Sequence, residues 1–245
     1  MRTLVCIPTY KEIENIEEVL RRTRAALPDA DILVLDDNSG DGTAELAEKI
    51  GEELGQIEVL RRPGKAGLGA AYRAGFAVGR QRGYEILCEM DADLSHQPES
   101  LPDLIARVHD GADLAIGSRY VPGGAVPNWP AHRLAISRWG NSYARFMLRH
   151  HVTDSTAGFR AFRTTALTAI DHAHTKGEGY LVQVETAYKI ARIGGTIVEV
   201  PITFRDRERG TSKMSFRIVG EAMGWVTVWG IRDRFTRRQI GRAHV

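Results

Sequence analysis

Two aspartates, Asp91 and Asp93, stand one residue apart directly after the apolar run at residues 86–88. In an extended segment, residues two apart point to the same side, so the two carboxylates can converge while Ala92 faces away. Adjacent carboxylates repel each other unless a cation lies between them, and such oxygen ligands favour Mg²⁺ or Mn²⁺. These ions usually keep further positions for substrate phosphates and water. A solvated turn is the alternative for a lone D-x-D, but its place after a buried strand favours a metal that binds a nucleoside diphosphate.

The segments that must position this pair alternate between two kinds of pattern. Short apolar, β-branched runs predict strands at 4–7, 32–35, 57–60, 86–88 and 114–116. Apolar residues three or four apart predict helices at 15–27 and 43–54. This alternation is typical of βαβ units, so we predict an α/β fold with a mostly parallel sheet flanked by helices. Ligands of such sheets bind at the carboxyl ends of the strands.

Polar residues follow several of these predicted strands, at 8–12, 36–42 and 91–93, while a turn-rich link follows the third at 61–69. A nucleotide is therefore an expected ligand. The dinucleotide fingerprint requires glycines directly after the first strand, and the sequence CIPTYKEIEN has none. A Rossmann dehydrogenase is thus disfavoured, and Gly67 and Gly69 are interpreted as a turn with close helix packing.

Composition excludes several classes of protein. The chain has 245 residues and 43% hydrophobic content, which is enough for a real core and excludes a disordered chain. Its net charge of +2, from 33 basic and 31 acidic residues, does not indicate a nucleic-acid partner. Cys6 and Cys88 lie in apolar runs and are expected to be buried thiols, which suits a reducing, cytoplasmic location. We find no signal peptide and no apolar stretch of membrane-spanning length.

Four segments, in this order along the chain, carry a family resemblance: PTYKEIEN at 8–15, VLDDNSGDGT at 34–43, DADLSH at 91–96 and GSRY at 117–120. Together they resemble the GT-A glycosyltransferases of family 2. Within that group, residues 3–213 most resemble the polyprenol (dolichol) phosphate mannose synthases. The resemblance implies a Rossmann-like GT-A fold and the inverting transfer of mannose from GDP-mannose to a polyprenyl phosphate at the cytosolic face of a membrane.

The same resemblance assigns residues to the donor. It implies a divalent metal, Mg²⁺ or Mn²⁺, bound by Asp91 and Asp93, with Ser95 as a weaker third contact. The positions that would line the guanosine site or lie close to it are Pro8, Tyr10, Glu12, Asp37, Lys65 and Leu68.

The acceptor side follows from phosphate chemistry. A phosphate monoester is already anionic near neutral pH, so it needs positive charge rather than a general base. Candidates are Arg119, Arg133 and Ser137, which by resemblance hold the acceptor phosphate. In the segment 207–213, Arg207 and Lys213 match positions that hold the donor diphosphate, and a loop around Gly210 is expected to close over it. A solvated surface loop is the alternative for this segment.

Other polar residues receive weaker assignments. Asp154 is expected to orient Arg133, to line the site or to cap a local turn, and these options stay open. Glu185 lies among apolar residues and is expected to have a basic partner. His96 and the pair at 150–151 lack metal-ligand spacing and are expected in surface or turn positions.

We predict three segments: a catalytic domain at 1–213, an amphipathic helix at 214–239 and a candidate non-native tail at 240–245. The tail, IGRAHV, matches the translation of a common sequencing adapter. Within the predicted helix, Trp225 adjoins an apolar stripe formed by Phe216, Val219, Met223, Val226 and Trp229. This stripe suits a helix at the membrane interface, which we prefer because tryptophan and arginine suit headgroups, and a helix packed on the domain is the alternative. Whether a separate membrane subunit is required stays open.

Four other functions are alternatives to mannose transfer. The nearest is transfer of glucose from UDP-glucose to a polyprenyl phosphate, and the second is a non-catalytic subunit that binds a sugar nucleotide. A nucleotidyltransferase is disfavoured because it would carry a glycine-rich loop after the first strand. A processive polymerase is disfavoured as well, since Arg138 and Trp139 lack the glutamine of a Q-x-x-R-W signature.

Overall fold

The computed structural model describes residues 1–175, 177, 179–206 and 216–242. The strands are β1 Thr3–Thr9, β2 Asp31–Asp36, β3 Ile57–Arg61, β4 Ile86–Glu89, β5 Leu114–Ser118, β6 Arg160–Arg163 and β7 Ile197–Pro201. The α-helices are α1 Ile16–Ala26, α2 Thr43–Leu54, α3 Leu68–Gln81, α4 Leu101–His109, α5 Ala131–Leu148, α6 Thr164–Ala169, α7 Tyr180–Arg192 and α8 Phe216–Arg242. Short 3₁₀ helices occur at Pro98–Ser100 and His172–His174.

The described strands form one seven-stranded sheet in the order β3-β2-β1-β4-β6-β5-β7. Strands β1, β2, β3 and β4 pair in parallel, as do β5 and β7, while β6 is antiparallel to β4 and to β5. The predicted mostly parallel sheet flanked by helices is confirmed, and all five predicted strands are present. The sequence patterns did not predict β6, whose four residues begin and end with arginine, nor β7.

Apolar side chains cover both faces of the sheet. One core cluster packs α1, α2 and α4 on one face, and a second packs α3, α6 and α7 on the other. Cys6 and Cys88 are fully buried free thiols within these clusters. The prediction of buried cysteines is therefore confirmed.

Helix α8 packs against α5 and α7. Val226 is 3% exposed and joins a small core with residues of both helices. The ring of Trp229 stacks on Tyr188 of α7, with centroids 5.5 Å apart and planes inclined by 7°. At these two positions the predicted stripe faces the protein, so the interpretation that this stripe meets lipid is wrong there. Among the side chains of α8 that the structure describes, the large apolar ones that are exposed are Trp225, Val228, Ile231 and Phe235.

Some sequence predictions lie outside the described residues. Arg207, Gly210 and Lys213 are among them, as are the predicted boundary at 213–214 and the last three residues of the predicted tail. The side chains of Phe216 and Val219 are also outside the description. Among the helices that the structure describes, none combines the length and apolarity needed to cross a bilayer.

The loop after β5 depends on a glycine at position 124. A Cβ added there would lie 2.7 Å from the carbonyl oxygen of Ser118 and 2.7 Å from the carbonyl carbon of Arg119. Both atoms belong to backbone, so relief requires the end of β5 to move. We expect Gly124→Ala to lower the free energy of unfolding by roughly 1–3 kcal/mol in urea denaturation.

The matched control is Gly140→Ala in α5, where an added Cβ meets no atom within 4 Å. That change should leave stability unchanged or raise it by up to about 1 kcal/mol through helix propensity. Equal effects of the two substitutions would contradict the close approach at Gly124.

Candidate active site

The sheet topology brings the predicted site residues to one edge. Strands β1, β2, β3 and β4 are parallel, so their carboxyl ends meet there. Because β6 is antiparallel to both of its neighbours, β5 and β7 also end at this edge, whereas β6 begins there. The residues that follow β1, β2, β4, β5 and β7, and those that precede β6, therefore surround one region.

On the donor side, Tyr10 and Lys65 are in contact, with the ammonium nitrogen 4.3 Å from the ring centroid. Asp37 forms an ion pair with Arg62, which follows β3. Burial raises the pKa of the Asp37 carboxyl, although the charge of Arg62 opposes the shift. The backbone N–H of Asp37 donates to the carbonyl of Thr9 at 3.0 Å and ties the ends of β1 and β2 together.

Three further predicted donor residues lie at the same edge. The backbone N–H of Glu12 donates to Oγ1 of Thr43 at 3.0 Å, and its carboxylate accepts from Nδ2 of Asn15 at 3.0 Å. Pro8 is in β1, and Leu68 is the first residue of α3. The residues predicted for the nucleoside thus lie on neighbouring segments of the sheet edge.

The turn after β4 holds Asp91 and Asp93. Asp93 is 5% exposed, and its Oδ1 accepts the backbone N–H of Ser95 at 3.0 Å. Leu94, between Asp93 and Ser95, has a φ of 61°. This conformation is uncommon for a residue with a branched side chain, and it turns the chain back on Asp93. Asp91 is more open, with 28% of its side chain exposed.

The donor set of this turn fits a hard divalent cation. Oγ of Ser95 is buried and has no hydrogen-bond partner among the described residues. In that same part of the chain, no group of three or more His, Cys, Asp or Glu side chains is placed to hold a metal. Two carboxylates with one orphaned hydroxyl suit Mg²⁺ or Mn²⁺, which complete their coordination with phosphate oxygens and water.

His96 lies behind Asp91 in the bend that follows β4 and is buried, so the expectation of a surface position is wrong. It is 3% exposed and stacks on Phe159 with centroids 5.0 Å apart and planes inclined by 10°. Its Nδ1 accepts the backbone N–H of Asp91 at 3.4 Å. The prediction is also wrong for His150, which is 5% exposed and whose pKa is lowered to about 4 by burial.

On the acceptor side, Arg119 is held by Asp154. Nε and Nη2 of the arginine donate to the two carboxylate oxygens at 2.7 and 2.6 Å, and its backbone N–H donates at 3.0 Å. Asp154 is fully buried and Arg119 is 7% exposed. Asp154 is thus a buried partner of Arg119, a role that the sequence did not suggest, and the expectation that it orients Arg133 is wrong.

Arg133 has a different partner, Asp206, which follows β7. Nη1 of Arg133 lies 2.7 and 2.9 Å from the carboxylate oxygens, and Nε1 of Trp129 donates to the same carboxylate at 3.0 Å. The guanidinium lies 3.9 Å from the centroid of the Trp129 ring, and that of Arg119 lies 5.5 Å from it. Nε of Arg133 is buried without a hydrogen-bond partner among the described residues. The two predicted arginines therefore share one indole.

Ser137 lies beside these two arginines. The hydroxyl of Tyr120 donates to Oγ of Ser137 at 2.6 Å. Nδ2 of Asn141 donates to the carbonyl of Ser137 and to Oγ1 of Thr156, both at 3.1 Å, and Thr156 accepts from Arg119 at 2.8 Å. The structure thus brings Arg119, Ser137 and Arg133 together. We call the surface formed by Arg119, Trp129, Arg133 and Ser137 the acceptor wall, after the role that the sequence analysis predicts for the two arginines and the serine.

The sequence profile of the family described as glycosyl transferase family 2 matches residues 4–170. The chain belongs to this family. It is 50% identical over 237 residues to a polyprenol monophosphomannose synthase of Mycolicibacterium smegmatis, covering 96% of this chain and 89% of that protein. It is 52% identical over 235 residues to an undecaprenyl-phosphate mannosyltransferase of Micrococcus luteus, covering 96% of each.

The fold of this family 2 glycosyltransferase also resembles solved structures. Glucosyl-3-phosphoglycerate synthase of Mycobacterium tuberculosis, in complex with Mn²⁺ and uridine-diphosphate-glucose, superposes with a TM-score of 0.66 at 19% identity. The likeness covers 93% of this chain and 77% of that one. At this identity the comparison shows the fold alone, which is GT-A-like as predicted.

Beneath the site, the glycosyltransferase contains a buried polar cluster that the sequence patterns did not reveal. Arg160 is fully buried and donates to the carbonyls of Ala157 at 2.7 Å, Ser155 at 2.7 Å and Gln183 at 2.8 Å. Nε2 of Gln183 donates to Glu89 at 2.8 Å. Burial raises the pKa of Glu89 to about 7 and lowers that of Arg160 to about 10. Only an arginine next to a polar turn at 154–157 signals this cluster in the sequence.

Glu185 has the basic partner that its apolar surroundings predict. Nζ of Lys189, one turn along α7, lies 2.8 Å from the Glu185 carboxylate. A second contact comes from the backbone N–H of Gly177 at 2.8 Å. This prediction is confirmed, and Glu185 is a structural residue of α7.

The two arginine ion pairs of the acceptor wall differ in burial, and we expect their loss to differ in cost. Asp154→Asn leaves the buried guanidinium of Arg119 without its charge partner and should lower the free energy of unfolding by about 3–5 kcal/mol. Asp206→Asn removes a partner that is 43% exposed, so solvent compensates and the loss should stay below about 1 kcal/mol. Urea denaturation of both variants measures the difference, and similar losses would contradict the assignment.

Proposed function

We propose that this glycosyltransferase transfers mannose from GDP-mannose to a polyprenyl phosphate with inversion at the anomeric carbon. The observation that carries the proposal is a second anion site on the sheet edge. Asp91 and Asp93 suit the metal-bound diphosphate of a donor, and Arg119 and Arg133 share Trp129 on a wall suited to another phosphate. The two relatives that match 96% of this chain carry the names of enzymes of this class.

On the donor side, Asp91 and Asp93 would hold Mg²⁺ or Mn²⁺, with Ser95 as a third contact. The ion, when bound, offsets negative charge that develops on the departing diphosphate. Pro8, Tyr10, Glu12 and Asp37 would line the guanosine site, and Lys65 and Leu68 would border it. In this proposal Arg207 and Lys213, which lie outside the described residues, bind the same diphosphate.

The acceptor supplies its own nucleophile. An oxygen of the polyprenyl phosphate forms a bond to the anomeric carbon, the bond from that carbon to the diphosphate oxygen breaks, and GDP leaves. Because the phosphate is already anionic, no side chain has to remove a proton. Arg119 is fixed by Asp154, and Arg133 becomes available when the acceptor phosphate replaces the carboxylate of Asp206. The role of these residues is to orient the anion and to reduce its repulsion from the donor diphosphate.

A polyprenyl chain stays in the bilayer, so we infer that the enzyme lies peripherally on the cytosolic face of a membrane. Helix α8 supports this location through Trp225, Val228, Ile231 and Phe235, which are 37%, 54%, 45% and 65% exposed. Tryptophan and apolar side chains on an exposed helix face suit the headgroup boundary.

The test is transfer of radiolabel from GDP-mannose to polyprenyl phosphate in vesicles, with Mn²⁺ or Mg²⁺, with EDTA, and with UDP-glucose in parallel. Metal-dependent labelling from GDP-mannose is expected, and Asp91→Asn should reduce it by at least about 100-fold. Asp110→Asn, an exposed carboxylate after α4, is the control and should be unaffected. Activity of the purified chain in vesicles would argue against a required membrane subunit.

Each other outcome is informative. Labelling only from UDP-glucose would assign the glucose activity, and labelling from neither donor would contradict the catalytic proposal. Activity that survives EDTA together with Asp91→Asn would contradict the metal assignment.

A second prediction concerns Asp206, whose carboxylate contacts the guanidinium that the acceptor phosphate would bind. Asp206→Asn removes this competition, so the KM for polyprenyl phosphate should fall severalfold while the KM for GDP-mannose stays constant. Steady-state kinetics with each substrate varied in turn measures the two KM values. Asp110→Asn is the matched loss of one negative charge, and an equal effect of both changes would contradict direct competition at Arg133.

A further inference from the structure

Helix α5 carries two neighbouring exposed surfaces outside the acceptor wall. Trp139 and Phe146 are 60% and 71% exposed and form an apolar side. Arg138 and Arg145 lie on the adjoining side with Ser142 between them, since residues three and four apart are neighbours on a helix. Ser142 has the same spacing to Trp139 and to Phe146, so it lies where the basic and apolar sides meet.

The basic side borders a cleft. Arg138, Ser142 and Arg145 line it together with Tyr120 and Thr153, and its volume is about 190 Å³. The guanidinium carbon of Arg138 lies 5.7 Å from the centroid of the Tyr120 ring. The two guanidinium groups and the hydroxyls of Ser142 and Thr153 are hydrogen-bond donors toward an anion. The Tyr120 hydroxyl donates to Ser137 instead. We call this space the α5 cleft.

The charge around the α5 cleft is uncompensated. Helix α5 contains no aspartate or glutamate, and within the described ranges no carboxylate forms an ion pair with Arg138 or Arg145. Several exposed arginines elsewhere do have carboxylate partners, for example Arg21 with Glu53. The carboxylate of Glu199 lies near Thr153, but it accepts the backbone N–H groups of Thr153 and Asp154. The cleft therefore favours an anion from outside the chain.

We propose that the α5 cleft binds the phosphate of an anionic phospholipid headgroup while Trp139 and Phe146 enter the membrane interface beside it. Arginine binds phosphate oxygens through two parallel donors, and tryptophan suits the headgroup level. The inference rests on the proposed function in one respect, because an acceptor in a bilayer gives the enzyme a reason to bind that surface. Tyr120 lines the cleft and donates to Ser137, so a bound headgroup would hold the acceptor wall at the membrane.

The test is co-sedimentation with vesicles of phosphatidylcholine alone and of phosphatidylcholine with phosphatidylglycerol. The double variant Arg138→Gln, Arg145→Gln is compared with a double variant Lys49→Gln, Arg107→Gln. The control removes the same charge from exposed positions on α2 and α4. We expect the cleft variant to bind the anionic vesicles roughly 30-fold more weakly than wild type, at about 1 kcal/mol for each of the two basic residues, and the control to change by less than about twofold. Binding to neutral vesicles should be the same for all three proteins.

Equal loss of binding in both double variants would show diffuse charge attraction and overturn the inference. A second arm uses inorganic phosphate against chloride at equal ionic strength. If phosphate raises the melting temperature of wild type but not of the cleft variant, and the cleft variant binds anionic vesicles as tightly as wild type does, the cleft takes soluble phosphate and the lipid source is overturned.

A third arm separates the cleft from the acceptor wall and from the proposed function. Mannosyl transfer to a short-chain polyprenyl phosphate in detergent should keep its KM in the cleft variant, and a raised KM would make the cleft part of the acceptor site and overturn the inference. If wild type transfers no mannose while vesicle binding still depends on Arg138 and Arg145, the proposed function fails and the inference about the cleft stands.

Discussion

The buried guanidinium of Arg160 connects the two halves of the candidate site. It is fully buried from solvent and donates to three backbone carbonyls, those of Ser155, Ala157 and Gln183. A buried charge is costly unless it is surrounded by hydrogen-bond acceptors and opposite charge. Glu89, at the end of β4, supplies the nearby negative charge. The side chain of Arg160 therefore contacts the turn that carries Asp154 and lies near the end of β4, which leads to Asp91 and Asp93.

The antiparallel strand β6 makes this connection possible. A purely parallel sheet would place the start of β6 at the opposite edge, far from the ends of β4 and β5. Because β6 runs the other way, Phe159 and the preceding turn lie beside the ends of both strands. Phe159 then stacks on His96, which contacts Phe204 after β7. An aromatic path of Phe159, His96, Phe204 and Trp129 links the turn of the aspartate pair to the acceptor wall.

The acceptor wall combines a permanent ion pair with an exchangeable one. The pair of Arg119 with Asp154 is buried, and breaking it would strand a charge away from water. The pair of Arg133 with Asp206 is partly exposed, with side-chain exposures of 26% and 43%, so water screens it and another anion can replace the carboxylate. Burial alone therefore distinguishes an arginine that is part of the structure from one that can change partners.

The sequence by itself determined the α/β class, the positions of the first five strands along the chain, the aspartate pair and the positive charge after β5. These follow from local periodicity and from residues within a few positions of each other, which is why the predicted helix at 43–54 matches α2 residue for residue. It did not reveal that β6 lies between β4 and β5, or that His96 is buried.

Only the tertiary structure decided which charges pair and which apolar faces are covered. Arg119 and Asp154 are 35 positions apart, and Arg133 and Asp206 are 73 apart. The stripe of α8 that suited a membrane packs on α5 and α7 at Val226, and other side chains of the helix are exposed. The physical reason is that burial and pairing depend on which segments meet across the fold, whereas the periodicity of one segment reports only that it has an apolar side.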